Sequence, residues 1–144
     1  MNNRILGLDI GDKYIGIAVS DPLGITAQGY RTYKKGDRDT DIAFFKDVIV
    51  QFNIECIVVG KPLSMDLTES AQTRKTVNYA QFLKKRLGVE VIYIDETLTS
   101  MASEDILIQG GVKPKDRKDF IDTMAAQIIL QEYLDNNESI KKDE

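Results

Sequence analysis

The chain has 144 residues, a net charge of −4, and an ordinary content of 42% hydrophobic and 29% charged residues. These values are typical of one globular domain with a single core. The sequence contains no histidine and one cysteine, which excludes histidine-based nucleophile systems, histidine metal ligands and an internal disulfide. Any catalysis is therefore expected to depend on carboxylates, for which Mg²⁺ or Mn²⁺ is a suitable cation.

Apolar runs in the sequence are short, and none approaches the ~18 residues of a membrane span. The first residues, MNNRILGLD, lack the apolar region of a signal peptide. The single cysteine, Cys56, lies in an apolar run and is expected to be a small core residue in a reducing compartment. The sequence therefore predicts a cytoplasmic protein without a membrane partner.

The first predicted elements form a hairpin of two strands, Ile5–Ile10 and Ile15–Ser20. Because side chains alternate along a strand, Asp9 shares a face with Gly7 and Gly11. A carboxylate within an apolar strand is costly unless a cation or hydrogen-bond donors compensate it, and the glycines leave room for a metal ion or a phosphate. Asp9 could equally be an edge residue, a turn former or one half of an ion pair.

The remaining pattern predicts a strand, a helix, a strand, a helix, a strand and two final helices. Strands joined by short connections are usually antiparallel, and strands joined through a helix are usually parallel. The sequence therefore predicts one α/β domain at 1–134, with a mixed five-stranded sheet and helices on both faces, and a disordered tail at 135–144. The predicted segments are Ile25–Tyr33, Thr40–Phe52, Ile54–Gly60, Glu69–Leu87, Val89–Ile94, a helix from Thr99 or Ser100 to Gln109, and Asp119–Leu134.

Apolar stripes predict which helix faces are buried. In the helix that ends before Gly88, the inward residues are expected to be Ala71, Val77, Ala80, Leu83 and Leu87. In the last helix they are expected to be Ile121, Met124, Ala125, Ile128 and Ile129.

Two further acids stand at positions where ligand sites often form. Glu96 follows the last predicted strand, and sites in α/β sheets open at the carboxyl ends of strands. Asp122 falls in the first turn of the last helix, where an acid also suits the helix dipole. The small residues Ala125 and Ala126 would let this helix approach another element closely, but spacing alone does not bring the acids together.

Two basic clusters fall in predicted loops. They could contact phosphates there, although a solvated surface explains each cluster more simply. The first contains Arg31, Lys34, Lys35 and Arg38, and the second contains Lys113, Lys115, Arg117 and Lys118.

Four segments in this order resemble the YqgF family over nearly all of residues 4–134. They are Ile5–Asp21 (ILGLDIGDKYIGIAVSD), Val58–Asp66, Asp95–Ser100 (DETLTS) and Ile121–Leu134 (IDTMAAQIILQEYL). The resemblance implies an RNase H-like fold. Members of this family are described as Holliday junction resolvases or as nucleases that mature the small-subunit ribosomal RNA precursor.

The resemblance also implies a site. Its acids correspond to Asp9, Glu96 and Asp122, which would be the catalytic residues and would hold two Mg²⁺ or Mn²⁺ ions, with Asp9 between them. The chain departs from many members at Thr97, where they have arginine, and at Lys61, where they have leucine. The residues expected to position the nucleic-acid backbone are Lys13, Lys61, Lys113, Lys115, Arg117 and Lys118.

Several functions remain open at this point. We expect a hydrolase that processes an RNA precursor, with a resolvase of four-way DNA junctions and a non-catalytic nucleic-acid-binding module as alternatives. The first motif also resembles the phosphate-binding hairpin of the actin and sugar-kinase ATPases, but those enzymes need two such domains and 144 residues supply one. The sequence leaves open a monomer or a homodimer, and an endonuclease or an exonuclease.

Overall fold

Strands and helices follow one another along the chain in the order that the apolar periodicity of the sequence predicts. A computed structural model describes residues 3–62, 70–96 and 123–136, and for Glu96 only the backbone. The helical residues 123–136 are called α3. The other elements are β1 (Arg4–Ile10), β2 (Tyr14–Ser20), β3 (Ala27–Lys34), α1 (Arg38–Phe52), β4 (Ile54–Pro62), α2 (Ala71–Leu87) and β5 (Glu90–Glu96).

The five described strands form one sheet in the order β3-β2-β1-β4-β5. β2 is antiparallel to both β1 and β3, whereas β4 is parallel to both β1 and β5. The short hairpin connections account for the antiparallel pairs, and α1 and α2 provide the crossovers that parallel pairs need. The predicted mixed sheet, with three antiparallel strands followed by two parallel ones, is confirmed.

Local side-chain chemistry fixes the ends of α1 and α2. Asp37 caps α1 by accepting a hydrogen bond from the Thr40 backbone N–H at 2.7 Å. Ser70 and Thr73 form a capping box at the start of α2, which satisfies backbone donors that lack helical partners. Gly88 ends α2 with φ at 69°, as predicted, because glycine adopts this left-handed conformation without steric cost.

The sheet separates two apolar clusters. Large side chains from the sheet, α1 and α2 form the first, which includes Leu8, Ile15, Ile17, Phe45 and Leu83. α3 packs on the opposite face and forms the second with smaller residues, which include Ala18, Cys56, Val58, Ala126 and Leu130. Helices therefore cover both faces, as predicted, and Cys56 is a buried core residue, as predicted.

Three strand assignments need correction. β4 continues through Lys61 and Pro62, which were predicted to begin a loop. β5 includes Asp95 and Glu96 and does not end before them. Residues 91–94 are only partly buried, and β5 is at one side of the five described strands, although an apolar run of this kind is typical of a strand covered on both faces.

The helix faces also differ from the predicted stripes. Ala71 is exposed, because it is the first residue of α2 and the helix turns it away from the sheet. The buried residues of α3 are Ala125, Ala126, Ile129, Leu130 and Leu134, so the buried face is rotated towards the C-terminal neighbours of the predicted stripe. Residues 135 and 136, assigned to the tail, are helical.

The predicted helix that ends at Gln109 lies outside the described residues, as do 137–144. In the ranges that are described, no helix is both long enough and apolar enough to cross a membrane.

Candidate active site

Asp9 stands near the carboxyl end of β1, at the centre of the sheet. Its neighbours Leu8 and Ile10 belong to the apolar cluster under α1 and α2. Because side chains alternate along a strand, Asp9 occupies the opposite face, which α3 covers. Asp9 is only partly buried.

Glycines let α3 approach the sheet closely beside this strand. A Cβ atom added at Gly7 would lie 2.7 Å from Leu130 Cβ and 3.1 Å from the Ala126 carbonyl oxygen. A Cβ atom added at Gly29 would lie 2.5 Å from Thr123 Cγ2. The distances of 2.7 Å and 2.5 Å are shorter than a real side chain would tolerate, so the position of α3 depends on these two glycines.

The first described turn of α3 is attached to the sheet at the level of Asp9. Asp9 pairs with Gly16 of β2, and Gly16 pairs with Thr32 of β3, so the three residues form one row. The Thr32 and Thr123 hydroxyl oxygens are 3.3 Å apart, within hydrogen-bond distance. Asp122 immediately precedes Thr123 in the sequence and lies outside the described residues.

Two glutamines of α3 hold it against β3, and sequence reasoning missed them. The Gln127 side-chain amide donates to the Ala27 carbonyl at 3.0 Å. The Gln131 side chain accepts from the Ala27 N–H at 2.8 Å and donates to the Ile25 carbonyl at 2.9 Å. A pair of glutamines four residues apart on one helix face was the available signal, since such residues neighbour each other.

Glu96 is at the same end of the sheet as Asp9. Leu8 is level with Val59 of β4, which is level with Tyr93 of β5. Glu96 pairs with Pro62, so its backbone lies two strands from β1, which is about 10 Å at ordinary strand spacing. The topology therefore brings two of the three predicted acids to one edge of the sheet.

Two of the predicted cationic residues, Lys13 and Lys61, are described near this end of the sheet, and Lys61 is on the α2 side, opposite to Asp9. Lys13 is exposed in the β1–β2 turn, and its carbonyl accepts a hydrogen bond from the Lys35 N–H at 2.8 Å. Lys61, in β4, lines a cavity of about 210 Å³ against α2 together with Arg74 and Asn78. The second basic cluster, with Lys113, Lys115, Arg117 and Lys118, lies outside the described residues.

The donor chemistry of Asp9 suits a hard divalent cation, because a carboxylate supplies the oxygen ligands that such a cation prefers. Within residues 3–62, 70–96 and 123–136, no three Asp, Glu, His or Cys side chains gather as metal ligands. The carboxylate of Glu96 and the whole of Asp122 are not among the described atoms. The set of metal-binding residues therefore stays a prediction. Of these three residues, the structure gives the position of Asp9.

Comparisons with known proteins are consistent with this arrangement. A family model described as "RuvX: Holliday junction resolvase" matches residues 3–136. A protein of Syntrophus aciditrophicus named "Putative pre-16S rRNA nuclease" is 44% identical over 132 residues, which cover 92% of this chain and 88% of that protein. A Clostridium tetani protein of the same name is 43% identical and covers 92% of this chain and 96% of its own length.

Two solved structures share the fold at low sequence identity. Thermus thermophilus RuvC in complex with a Holliday junction substrate has a TM-score of 0.58 and 16% identity, covering 95% of this chain and 96% of that one. The Holliday junction resolvase of fowlpox virus has a TM-score of 0.54 and 17% identity, covering 92% and 99%. The fold of the chain is therefore that of the RuvC-like, RNase H-type resolvases.

Proposed function

The chain belongs to the RuvX (YqgF) family, and on this premise we propose that it is a metal-dependent nuclease that matures the precursor of 16S ribosomal RNA. The observation that carries the proposal is the row formed by Asp9, Gly16 and Thr32, to which the start of α3 is attached through Thr123. This row carries Asp9 of the central strand at the level where Thr123 of α3 contacts the sheet, and Asp122 precedes Thr123 in the sequence.

The proposed mechanism depends on carboxylates, as the absence of histidine requires. Asp9, Glu96 and Asp122 would hold two Mg²⁺ or Mn²⁺ ions. When bound, such ions generate the attacking hydroxide from water and stabilise the leaving oxygen of the phosphodiester. The chain fixes Asp9 on the central strand, so that its carboxylate needs little reorganisation during the reaction.

Cationic side chains would position the nucleic acid. Contacts to phosphates fix the register of a strand without reading its sequence. Lys13 is exposed in the turn that follows Asp9, and Lys61 is at the end of β4 on the α2 side of the sheet, where it would contact nucleic acid that passes over this end of the sheet. In this proposal Lys113, Lys115, Arg117 and Lys118 extend the same contact surface.

The RNA precursor is the preferred substrate because the relatives above 40% identity carry that name. The second candidate is resolution of four-way DNA junctions, which the description of the matching family supports. A junction is usually cut by a symmetric dimer, whereas a monomer can trim a precursor end. The oligomeric state of the active protein would therefore help to distinguish the two substrates.

The test is cleavage of a labelled 16S precursor fragment and a labelled four-way junction by the same protein with Mg²⁺ or Mn²⁺. We expect cleavage of the RNA and a loss of at least about 100-fold in Asp9→Asn, since even the outer partners of metal ligands are worth 10- to 100-fold. Asp47→Asn is the matched control, because Asp47 is an exposed carboxylate of α1. Cleavage of the junction alone would establish the second candidate.

A measurement without substrate separates a wrong site from a wrong substrate. Mg²⁺ that binds the folded state should raise the melting temperature of the wild type, and Asp9→Asn should abolish that rise while Asp47→Asn retains it. An equal rise in both variants would contradict the Asp9 site. Binding of either nucleic acid without cleavage, at saturating metal, would instead indicate a non-catalytic binding module.

A further inference from the structure

A second cavity opens on the opposite face of the sheet from Asp9. It has a volume of about 460 Å³ and lies between the β1–β2 turn, the first residue of α1 and residues 72–82 of α2. Ile10 and Gly11 contribute to it from the end of β1. Asp9 and this cavity are therefore neighbours along the chain, but β1 itself separates them.

The lining of the cavity is cationic, although the whole chain is acidic. Lys35, Arg38 and Lys75 line it, and the only acidic residue among its described lining residues is Asp12. Asp12 Oδ1 is 3.8 Å from Lys75 Nζ, in a pair whose side chains are 64% and 68% exposed. Such an exposed pair is weak, so the cavity presents an excess of positive charge to a ligand.

Two of the three cations are held in place by aromatic rings. Lys35 Nζ is 4.3 Å from the ring centroid of Tyr79, and the Arg38 guanidinium carbon is 4.8 Å from that of Phe82. The Tyr79 hydroxyl donates to Asp41 Oδ2 at 2.9 Å, which fixes the ring. Cations that are oriented before a ligand arrives lose less conformational entropy on binding it.

The backbone of Lys35 is also tied to the hairpin that carries Asp9, through its hydrogen bond to the Lys13 carbonyl. Burial lowers the pKa of the Lys35 ammonium group, although the negative charges of Asp12 and Asp41 act to raise it. A desolvated ammonium group of this kind gains more from an anion than an ammonium group in water does.

We propose that this cavity binds a nucleoside phosphate, with the phosphate between Lys35, Arg38 and Lys75 and the nucleoside towards Tyr79 and Phe82. The volume is in the range of small-molecule sites and exceeds what a phosphate group needs by itself. Lysine and arginine are the usual phosphate-binding side chains. The lining amides, Gln72 and Asn78, offer donors and acceptors to a base or a ribose.

Two kinds of ligand carry these groups: a free mononucleotide and the terminal nucleotide of a nucleic-acid strand. Both place a phosphate monoester beside a nucleoside. The proposal does not depend on the carboxylates of the candidate active site, because the cavity is on the other face of the sheet.

The experiment is isothermal titration of the full chain, without metal, with adenosine 5′-monophosphate, adenosine and a 5′-phosphorylated trinucleotide. Each of Lys75→Gln and Arg38→Gln should weaken binding of the monophosphate by about 10-fold, the equivalent of one charge-assisted hydrogen bond. Lys46→Gln should bind as the wild type does, because Lys46 is an exposed lysine of α1 outside the cavity lining. Since the Lys75 side chain is 68% exposed, its variant is expected to fold normally.

Adenosine should bind at least 10-fold more weakly than the monophosphate. Tighter binding of the trinucleotide than of the monophosphate would identify a strand terminus as the source, and equal binding would identify a free nucleotide. The proposal is overturned if the wild type binds none of the phosphorylated probes, or if Lys75→Gln and Arg38→Gln bind them as tightly as the wild type. Asp9→Asn should leave the titration unchanged, which distinguishes failure of this site from failure of the nuclease proposal.

Discussion

The two faces of the five-stranded sheet are packed in different ways. On the face under α1 and α2, large side chains such as Phe45 and Leu83 are fully buried. On the face under α3, Gly7, Ala18 and Ala126 leave the helix backbone close to the strands. The first face contributes most of the large buried apolar side chains. The second face determines the position of α3, because its small residues decide how closely the helix can approach the sheet.

We therefore expect substitutions on the two faces to have different effects on the protein. Removing volume from the first face should cost stability without displacing the Asp9 row. Adding volume to the second face should cost less stability but move α3 relative to Asp9.

Phe45→Ala should lower the free energy of unfolding by about 3–5 kcal/mol, because it removes a large, completely buried ring and leaves a cavity. Urea unfolding followed by circular dichroism measures the change. Val50→Ala is the matched control on the same helix, since Val50 is 81% exposed, and it should change stability by less than about 0.5 kcal/mol. Equal losses in the two variants would contradict the assigned helix face.

Asp41→Ala should cost about 3 kcal/mol, because this buried carboxylate satisfies three donors. The Tyr33 hydroxyl and the Gly36 N–H donate to Oδ1 at 2.8 Å, and the Tyr79 hydroxyl donates to Oδ2 at 2.9 Å. Without the carboxylate these donors lose their partner in partly buried positions.

The matched variant is Asp39→Ala, two residues earlier in the same helix. Asp39 is 89% exposed and forms an ion pair with Arg86 at 3.2 Å, so its loss should cost at most about 1 kcal/mol. Urea unfolding of both variants measures the difference. A loss from Asp41→Ala as small as that from Asp39→Ala would show that the three hydrogen bonds do not contribute to stability.

Gly7→Ala tests the second face. The added Cβ atom would meet the Leu130 Cβ and the Ala126 backbone, neither of which is a flexible chain end, so α3 must shift. Overpacking of this kind costs about 1–3 kcal/mol. Under the nuclease proposal, cleavage should fall by about 10-fold or more in protein that is still folded, since small displacements at an active site are costly.

Gly36→Ala is the control for Gly7→Ala. Its added Cβ atom would lie 3.7 Å from the nearest atoms, an ordinary van der Waals contact, so stability and cleavage should be close to those of the wild type. Steady-state cleavage of the RNA substrate, with folding checked by circular dichroism, compares the two. Wild-type cleavage by Gly7→Ala would contradict the positioning role of the second face.

The contrast between the faces also explains what the sequence could predict. Apolar periodicity identified β1, β2, β4, α1 and α2 because apolar residues recur along each of them at the spacing of a strand or a helix. It also placed Asp9 on the correct face, since alternation along a strand is local.

Features that depend on contacts between distant segments were not predictable. Asp41 looks like an ordinary polar residue of a first helical turn, but its partner Tyr79 is 38 residues away. The buried face of α3 was predicted only in part: Ala125 and Ile129 were included, whereas Ala126, Leu130 and Leu134 were not. Ala126 and Leu130 lie against Gly7 of the central strand, a contact between distant segments that no local pattern encodes.

The smallest expected effect is a difference in alkaline stability. Burial and the hydrogen bond to Asp41 raise the pKa of Tyr33 from its ordinary 10.0 to about 12. On the other face, burial raises the pKa of the Cys56 thiol from 9.0 to about 12. A raised pKa means that the folded state favours the protonated form, so each contribution to stability is complete below the unfolded pKa and is lost as pH rises towards 12.

The free energy of unfolding of the wild type should therefore begin to fall above pH 9 and fall more steeply above pH 10. Cys56→Ala should remove the part of the slope that begins at pH 9, and Tyr33→Phe should remove part of the slope that begins at pH 10. Urea unfolding at pH steps from 8 to about 11.5 measures both slopes, and only the slopes are compared, because each substitution also changes stability at neutral pH. Slopes identical to the wild type in both variants would mean that neither face holds its group in the protonated form, and the two faces would then differ in packing alone.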